Sequence, residues 1–163
     1  MESDNFSEIV LGRYDGASWS WHLKRNISMA PGHLAMIFVG LGLFTLIIGT
    51  AFYLLGASLI LPFSLFEVVV LLLAYFYNAI HANDYEKLVL SEKHVNIERK
   101  IGFQTSHVQF SRSMTRIDRD IQKNALITFK HGNQSTLFGQ FVHANLRPAL
   151  AKEISKRMLS ELQ

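Results

Sequence analysis

A chain of 163 residues with no cysteine excludes disulfides, thiol catalysis, and cysteine-ligated zinc or iron–sulfur centres. Its net charge is +3. That excess sits after residue 81, where thirteen Lys and Arg face eight Asp and Glu. Acids slightly outnumber bases in the leader, where Glu2, Asp4, Glu8 and Asp15 accompany Arg13, Lys24 and Arg25.

In chain order, the first segment to read is the leader, residues 1–30. Trp19 and Trp21 precede Lys24-Arg25, which suits amphipathic rings at the headgroup level of a membrane; packing as strand or loop against a soluble domain fits them equally. From Pro31 to Ile80 there is no Lys, Arg or Asp, and the only carboxylate is Glu67. A bilayer's hydrocarbon core takes about 20 apolar residues per helical span, so the run is too long for one crossing and right for two. The break falls at Gly56-Ala57-Ser58, with Pro62 just beyond. The expected fold of residues 31–80 is a transmembrane helical hairpin, roughly 34–55 and 59–79. No cleavable signal peptide is apparent, and the first span is expected to act as its own insertion signal. Lys24 and Arg25 flank one end, Lys87 and Lys93 the other, and the turn between the spans is uncharged. The positive-inside rule then puts both ends of the chain in the cytoplasm.

Ala35, Gly42, Gly49 and Gly56 recur every seven positions, one smooth stripe along the first span. Ser64, Glu67, Ala74, Asn78 and His81 fall near one face of the second. Lipid gives no hydrophobic drive between helices, so small residues and polar contacts must bring them together. Two arrangements stand open. The stripes join inside the hairpin, with a protonated Glu67 bonded to Thr45 or Thr50, or the Glu67 stripe faces another membrane protein. Gly42, Gly49, Glu67 and Asn78 are thus the candidate intramembrane contact residues. A proton path would want more acids or histidines within the membrane than this chain has.

Beyond Ile80 the period changes to two. Tyr85–Leu90, His94–Arg99, Phe103–Phe110, Met114–Arg119, Leu126–Lys130 and Gln134–Phe138 read as short strands. Turn residues separate them, most clearly His131-Gly132-Asn133. Asn145 is expected to cap a helix whose Leu146, Leu150, Ile154, Met158 and Leu162 make one apolar stripe, with Pro148 in its first turn. Residues 81–163 are therefore expected to be a small α+β domain, an antiparallel meander with a C-terminal helix, pleckstrin-homology-like (PH-like) in architecture.

Candidate chemistry is sparse. No Gly-rich phosphate loop, nucleophile elbow or HExxH pattern is present, and no catalytic residue, metal or cofactor is expected. His33, His81, Asp84, Glu86 and His22 have side chains that ligate metals, but their spacing is that of no established site. His33, His81 and Asp84, with Trp19 and Trp21, are expected at the membrane interface instead. Lys100, Arg112, Arg116, Arg119 and Lys123 are a candidate basic patch for anionic lipid headgroups, the alternative being an ordinary solvated sheet face. Weak aromatic interleaving speaks against nucleic acid.

The order of parts resembles a known family. An aromatic leader, WSWHLKRNIS, two spans, His81-Ala82-Asn83-Asp84-Tyr85-Glu86, a meander, and Phe138-Gly139-Gln140-Phe141 running into Asn145-Leu146-Arg147 are similar to the proteobacterial two-span integral membrane proteins of unknown function. Members of that family are often encoded beside cytochrome c oxidase subunits. The resemblance implies a bacterial inner-membrane protein that serves a respiratory oxidase as a non-catalytic accessory subunit or assembly factor, with membrane lipid and other integral membrane subunits as partners. The alternative is a membrane-anchored PH-like module that binds anionic lipid or a partner peptide.

Overall fold

A computed structural model describes residues 12–27, 29–118 and 126–160. The chain divides into two compact units. One runs from Asn26 to Asn83; the other combines the leader through Arg25 with the chain from Asp84 onward.

The first unit is a pair of helices, α1 (Pro31–Leu54) and α2 (Ile60–His81). Both are long and apolar enough to cross a membrane, and few of their residues are buried, unlike those of a soluble core helix. Pro31 opens α1, where a missing backbone N–H costs nothing. Gly56, at φ +92°, turns the chain in a conformation that a side chain resists, so it belongs to the turn and not to the contact stripe. Gly42 and Gly49 are the buried residues of α1, and Ser64 is that of α2. A Cβ placed on Gly49 would lie 2.4 Å from Ser64 Oγ, whereas one on Gly42 would clear Val68 Cγ2 by 3.7 Å. The helices therefore pack tightest at Gly49. An edge-to-face contact of Phe38 with Tyr75, at 6.4 Å between ring centres, joins them further along.

The second unit opens with two leader strands, β1 (Arg13–Tyr14) and β2 (Trp19–Lys24). Asp15 ties their turn by accepting the N–H groups of Ala17 and Ser18, which holds its pKa below the ordinary carboxylate value. After the hairpin come β3 (Tyr85–Leu90), β4 (His94–Ile101) and β5 (Gln104–Ser111). The five strands form one antiparallel sheet in the order β1-β2-β3-β4-β5. A 3-10 turn at Arg112–Met114 leads to a second sheet of β6 (Thr115–Asp118), β7 (Ile127–His131) and β8 (Gln134–Phe138). Two of the hairpins carry Gly at the first of two central positions, Gly102 at φ +58° and Gly132 at φ +57°, the placement that type II′ turns require. The last described element is α3 (Arg147–Ser160), with Pro148 in its first turn and its start two residues after Asn145.

The core lies where these layers meet. Trp21, Leu23, Leu88, Leu90, Val95, Ile97 and Phe110 come from the large sheet, Ile127, Phe129 and Phe138 from the small one, and Leu150, Ile154 and Met158 from α3. The step-of-four stripe of α3 is thus its buried face; Leu162 lies outside the described residues.

The leader differs from the expectation. Residues 1–30 were expected to form a separate interfacial segment and the domain to begin at residue 81. Instead β2 pairs along its whole length with β3, Trp21 opposite Leu88 and Lys24 opposite Tyr85. Trp21 is fully buried, so it is no headgroup anchor: the odd positions of WSWHLK supply the inner face of the sheet. Trp19 packs at the edge of that core under the Arg157 guanidinium, 3.8 Å above its ring.

Candidate functional site

The polar residues of the spans are settled mostly within their own helices. Thr50 donates to the Leu46 carbonyl at 2.7 Å, Ser64 to Ile60 at 3.1 Å, and Asn78 Nδ2 to Ala74 at 2.9 Å, each reaching back one turn. Among the described residues no bond joins Glu67 to Thr45 or Thr50. The stripe expected to run from Ser64 through Glu67, Ala74 and Asn78 to His81 divides, because Val68 and Tyr75 take the inner positions below Ser64. Ala74 and Asn78 are exposed and Glu67 is half-buried beside the helix contact. Of the four candidate contact residues, Gly42 and Gly49 are used inside the hairpin, while Glu67 and Asn78 sit on its flank.

His81 closes α2 by donating Nδ1–H to the Tyr77 carbonyl at 2.9 Å, one turn back along its own helix. His33 is exposed in the first turn of α1.

Asp84 and Glu86 turn out to be internal residues of the domain. Asp84 is buried, accepts the Gly102 N–H at 2.6 Å and pairs with Arg25 at 3.4 Å; it is a joint of the fold and not a free interfacial carboxylate. Glu86, fully buried, takes four donors. Its Oε1 accepts Arg99 Nε at 2.8 Å and Nη2 at 2.7 Å. Its Oε2 accepts the backbone N–H groups of Gly139 at 2.8 Å and Gln140 at 2.9 Å. Arg147 binds the same loop from the other side, donating Nε to the carbonyls of Gly139 and Val142, both at 3.1 Å. The segments that carry the family resemblance, His81–Glu86 and Phe138–Arg147, are thus brought together as a latch from β3 to the loop after β8.

Beside this latch a cleft of about 290 Å³ opens between β5 and β8, lined by Ile97, Arg99, Ser106, Val108, Ser135, Thr136 and Leu137. Its one cation, Arg99, is held by Glu86 and by the Leu137 carbonyl. On the outer face of the large sheet, Tyr85 donates its hydroxyl to Glu98, and that bond raises the phenol's pKa above its ordinary value. His107 Nδ1 lies 3.9 Å from the other Glu98 oxygen.

The basic patch expected from Lys100, Arg112, Arg116, Arg119 and Lys123 is not assembled among the described residues. Arg112 is 2 % exposed. It donates to Ser91 at 3.1 Å and to the last-turn carbonyls of α3, Arg157 at 2.6 Å and Met158 at 3.1 Å. A guanidinium there offsets the negative end of the helix dipole. Lys100 is on the large sheet and Arg116 on the small one, opposite Lys130. Arg119 and Lys123 lie outside the described residues. Nor do the described residues contain a group of three or more His, Asp or Glu able to hold a metal ion.

A pair of apolar helices closed through Gly49 and Ser64, joined to a two-sheet domain latched by a buried carboxylate, defines an integral membrane protein with an extramembrane α+β domain. The chain belongs to the family described as Integral membrane protein (DUF2244), which matches residues 23–158. No curated protein matches it.

Proposed function

We propose that this chain is a non-catalytic accessory subunit or assembly factor of a larger complex in a bacterial inner membrane, with a cytochrome c oxidase favoured by the family resemblance. The observation that carries this reading is Glu67. A carboxylate in a span costs about 2.5–3.5 kcal/mol at the centre of a helix on insertion scales, less toward the ends. The hairpin makes no use of Glu67, and Asn78 lies on the same outward flank. Such a pair fits a hydrogen-bonding contact with another span. The domain's buried acids and guanidiniums are spent on its own backbone, which fits a structural role. We read that domain as PH-like, since a C-terminal helix packs on two antiparallel sheets. The alternative, a domain that reads lipid through its basic strands, loses Arg112 to the core.

The test is recovery of the complex in mild detergent from cells carrying Glu67→Gln or Glu67→Leu. The amide keeps a donor and an acceptor, so Glu67→Gln should co-purify with its partners as the unaltered chain does. Glu67→Leu leaves a partner group unbonded at a cost of about 1 kcal/mol, roughly a fivefold loss of complex. Equal and severe loss of oxidase activity in both variants, with the complex intact, would instead assign Glu67 to proton transfer and end the accessory reading.

Orientation has its own check. Lys24, Arg25, Lys87 and Lys93 flank the spans, and β2 can pair with β3 only when both emerge on one side. A reporter fused at Gln163 should behave as cytoplasmic and one inserted at Ala57 as exported. The reverse pattern would invert the proposed orientation.

A further inference from the structure

The hairpin turn between β4 and β5 ends in exposed apolar side chains. Phe103 is 85 % exposed and Ile101 39 %. Large aliphatic and aromatic groups at the tip of a polar hairpin gain nothing from water. The tip is also fixed in a particular place along the chain. Its Gly102 N–H is bonded to Asp84, and Asp84 follows the last residue of α2, His81, by three positions. Asp84 also receives the Arg25 backbone N–H at 3.0 Å, and Arg25 is six positions before Pro31. Both connections to the spans are therefore tied to the residue that holds the tip.

Charge surrounds the same end of the sheet. Lys24, Tyr85 and Lys100 form one cross-strand row on the outer face, with Lys24 opposite Tyr85 and Tyr85 opposite Lys100. Among the described residues neither lysine has a carboxylate partner. The nearby acids are engaged: Asp84 with Gly102 and Arg25, Glu98 with Tyr85. Aromatic rings favour the interface of a bilayer, and each Lys or Arg near an anionic surface contributes about 1 kcal/mol.

We propose that the β4–β5 tip is a second, peripheral contact with the bilayer: Phe103 and Ile101 enter the interface, and Lys24 and Lys100 hold anionic phospholipid headgroups beside them. The domain would then be fixed to the surface at a third point besides its two covalent links to the hairpin.

Because the chain has no cysteine, a single one can be labelled uniquely. The full chain carrying Phe103→Cys, labelled with an environment-sensitive nitrobenzoxadiazole dye, is reconstituted into phosphatidylcholine vesicles with and without phosphatidylglycerol. With the anionic lipid the emission should shift to the blue and be quenched by spin-labelled lipid. Both effects should fall away in phosphatidylcholine alone, and in Lys24→Glu/Lys100→Glu with the anionic lipid present. A dye at Asn96→Cys, on the outer face away from the tip, should remain in water throughout. Water-like emission at 103 in both vesicles would overturn the proposal, as would equal burial in both. Shielding of the dye in native membranes but not in anionic vesicles would give the tip to a protein partner and overturn it too.

Discussion

Gly49→Leu should unfold the helix pair. A Cβ alone at that position falls 2.4 Å from Ser64 Oγ and 2.8 Å from Ser64 Cβ, so the branched side chain has no room without parting the helices. Overpacking of this kind costs about 1–3 kcal/mol in soluble cores, and here the separated helices also lose their close van der Waals contact. Even Gly49→Ala should be harmful, and Ser64→Gly should restore part of what it loses, because the clash is with that one side chain. Gly42→Ala, with 3.7 Å to Val68, should be close to neutral. Val70→Leu, on a largely exposed position, serves as the control. Thermal unfolding in detergent, followed with the fraction recovered as a monodisperse peak, measures all five. If Gly49→Leu matches the unaltered chain, the glycine face is not what holds the spans together.

The second large effect is expected in the domain. Glu86→Leu removes the acceptor for Arg99 and for two backbone N–H groups, all in a buried setting. Breaking a buried pair by deleting one partner costs about 3–5 kcal/mol, on the order of 10 °C or more in melting temperature for a domain of this size. Glu86→Gln should also destabilise, since an amide presents N–H where Oε1 or Oε2 now accepts. Adding Arg99→Met to Glu86→Leu should recover part of the loss, because it removes the stranded charge while the two backbone groups stay unpaired. The near-ultraviolet signal of the buried Trp21 reports on the domain. A Glu86→Leu variant that melts with the parent would show that the latch contributes little.

These two sites were legible to different degrees. Two spans could be read because an apolar run of that length, with Glu67 as its one carboxylate, has no soluble explanation, and Gly49 followed from the heptad of small residues. Strands β3 and β8 match their expected limits, since each alternates cleanly or ends at a turn residue. By contrast, the leader reads equally as a headgroup-level segment or as packing against the domain, because the partner of β2 lies across the whole hairpin and no local pattern encodes a pairing that distant. Glu86 stood out as part of a motif, yet burial of a carboxylate is decided by what surrounds it. Arg112 shows the same limit. An arginine that caps a helix from a distant 3-10 turn looks, in sequence, like one that faces solvent. Glu67 was legible as a position; its freedom from Thr45 and Thr50 came only with the rotation of α2.

The order of synthesis gives the split domain a further meaning. Trp21 and its strand leave the ribosome before either span, and the strand they pair with is made only after the second. Until then the chain holds an unfinished sheet edge and an exposed tryptophan. If one span fails to insert, or inserts alone, β2 and β3 are left on opposite sides of a bilayer and no later folding step can join them. The sheet therefore registers whether both spans have crossed, and a misinserted chain would carry an open apolar edge that proteases and chaperones recognise.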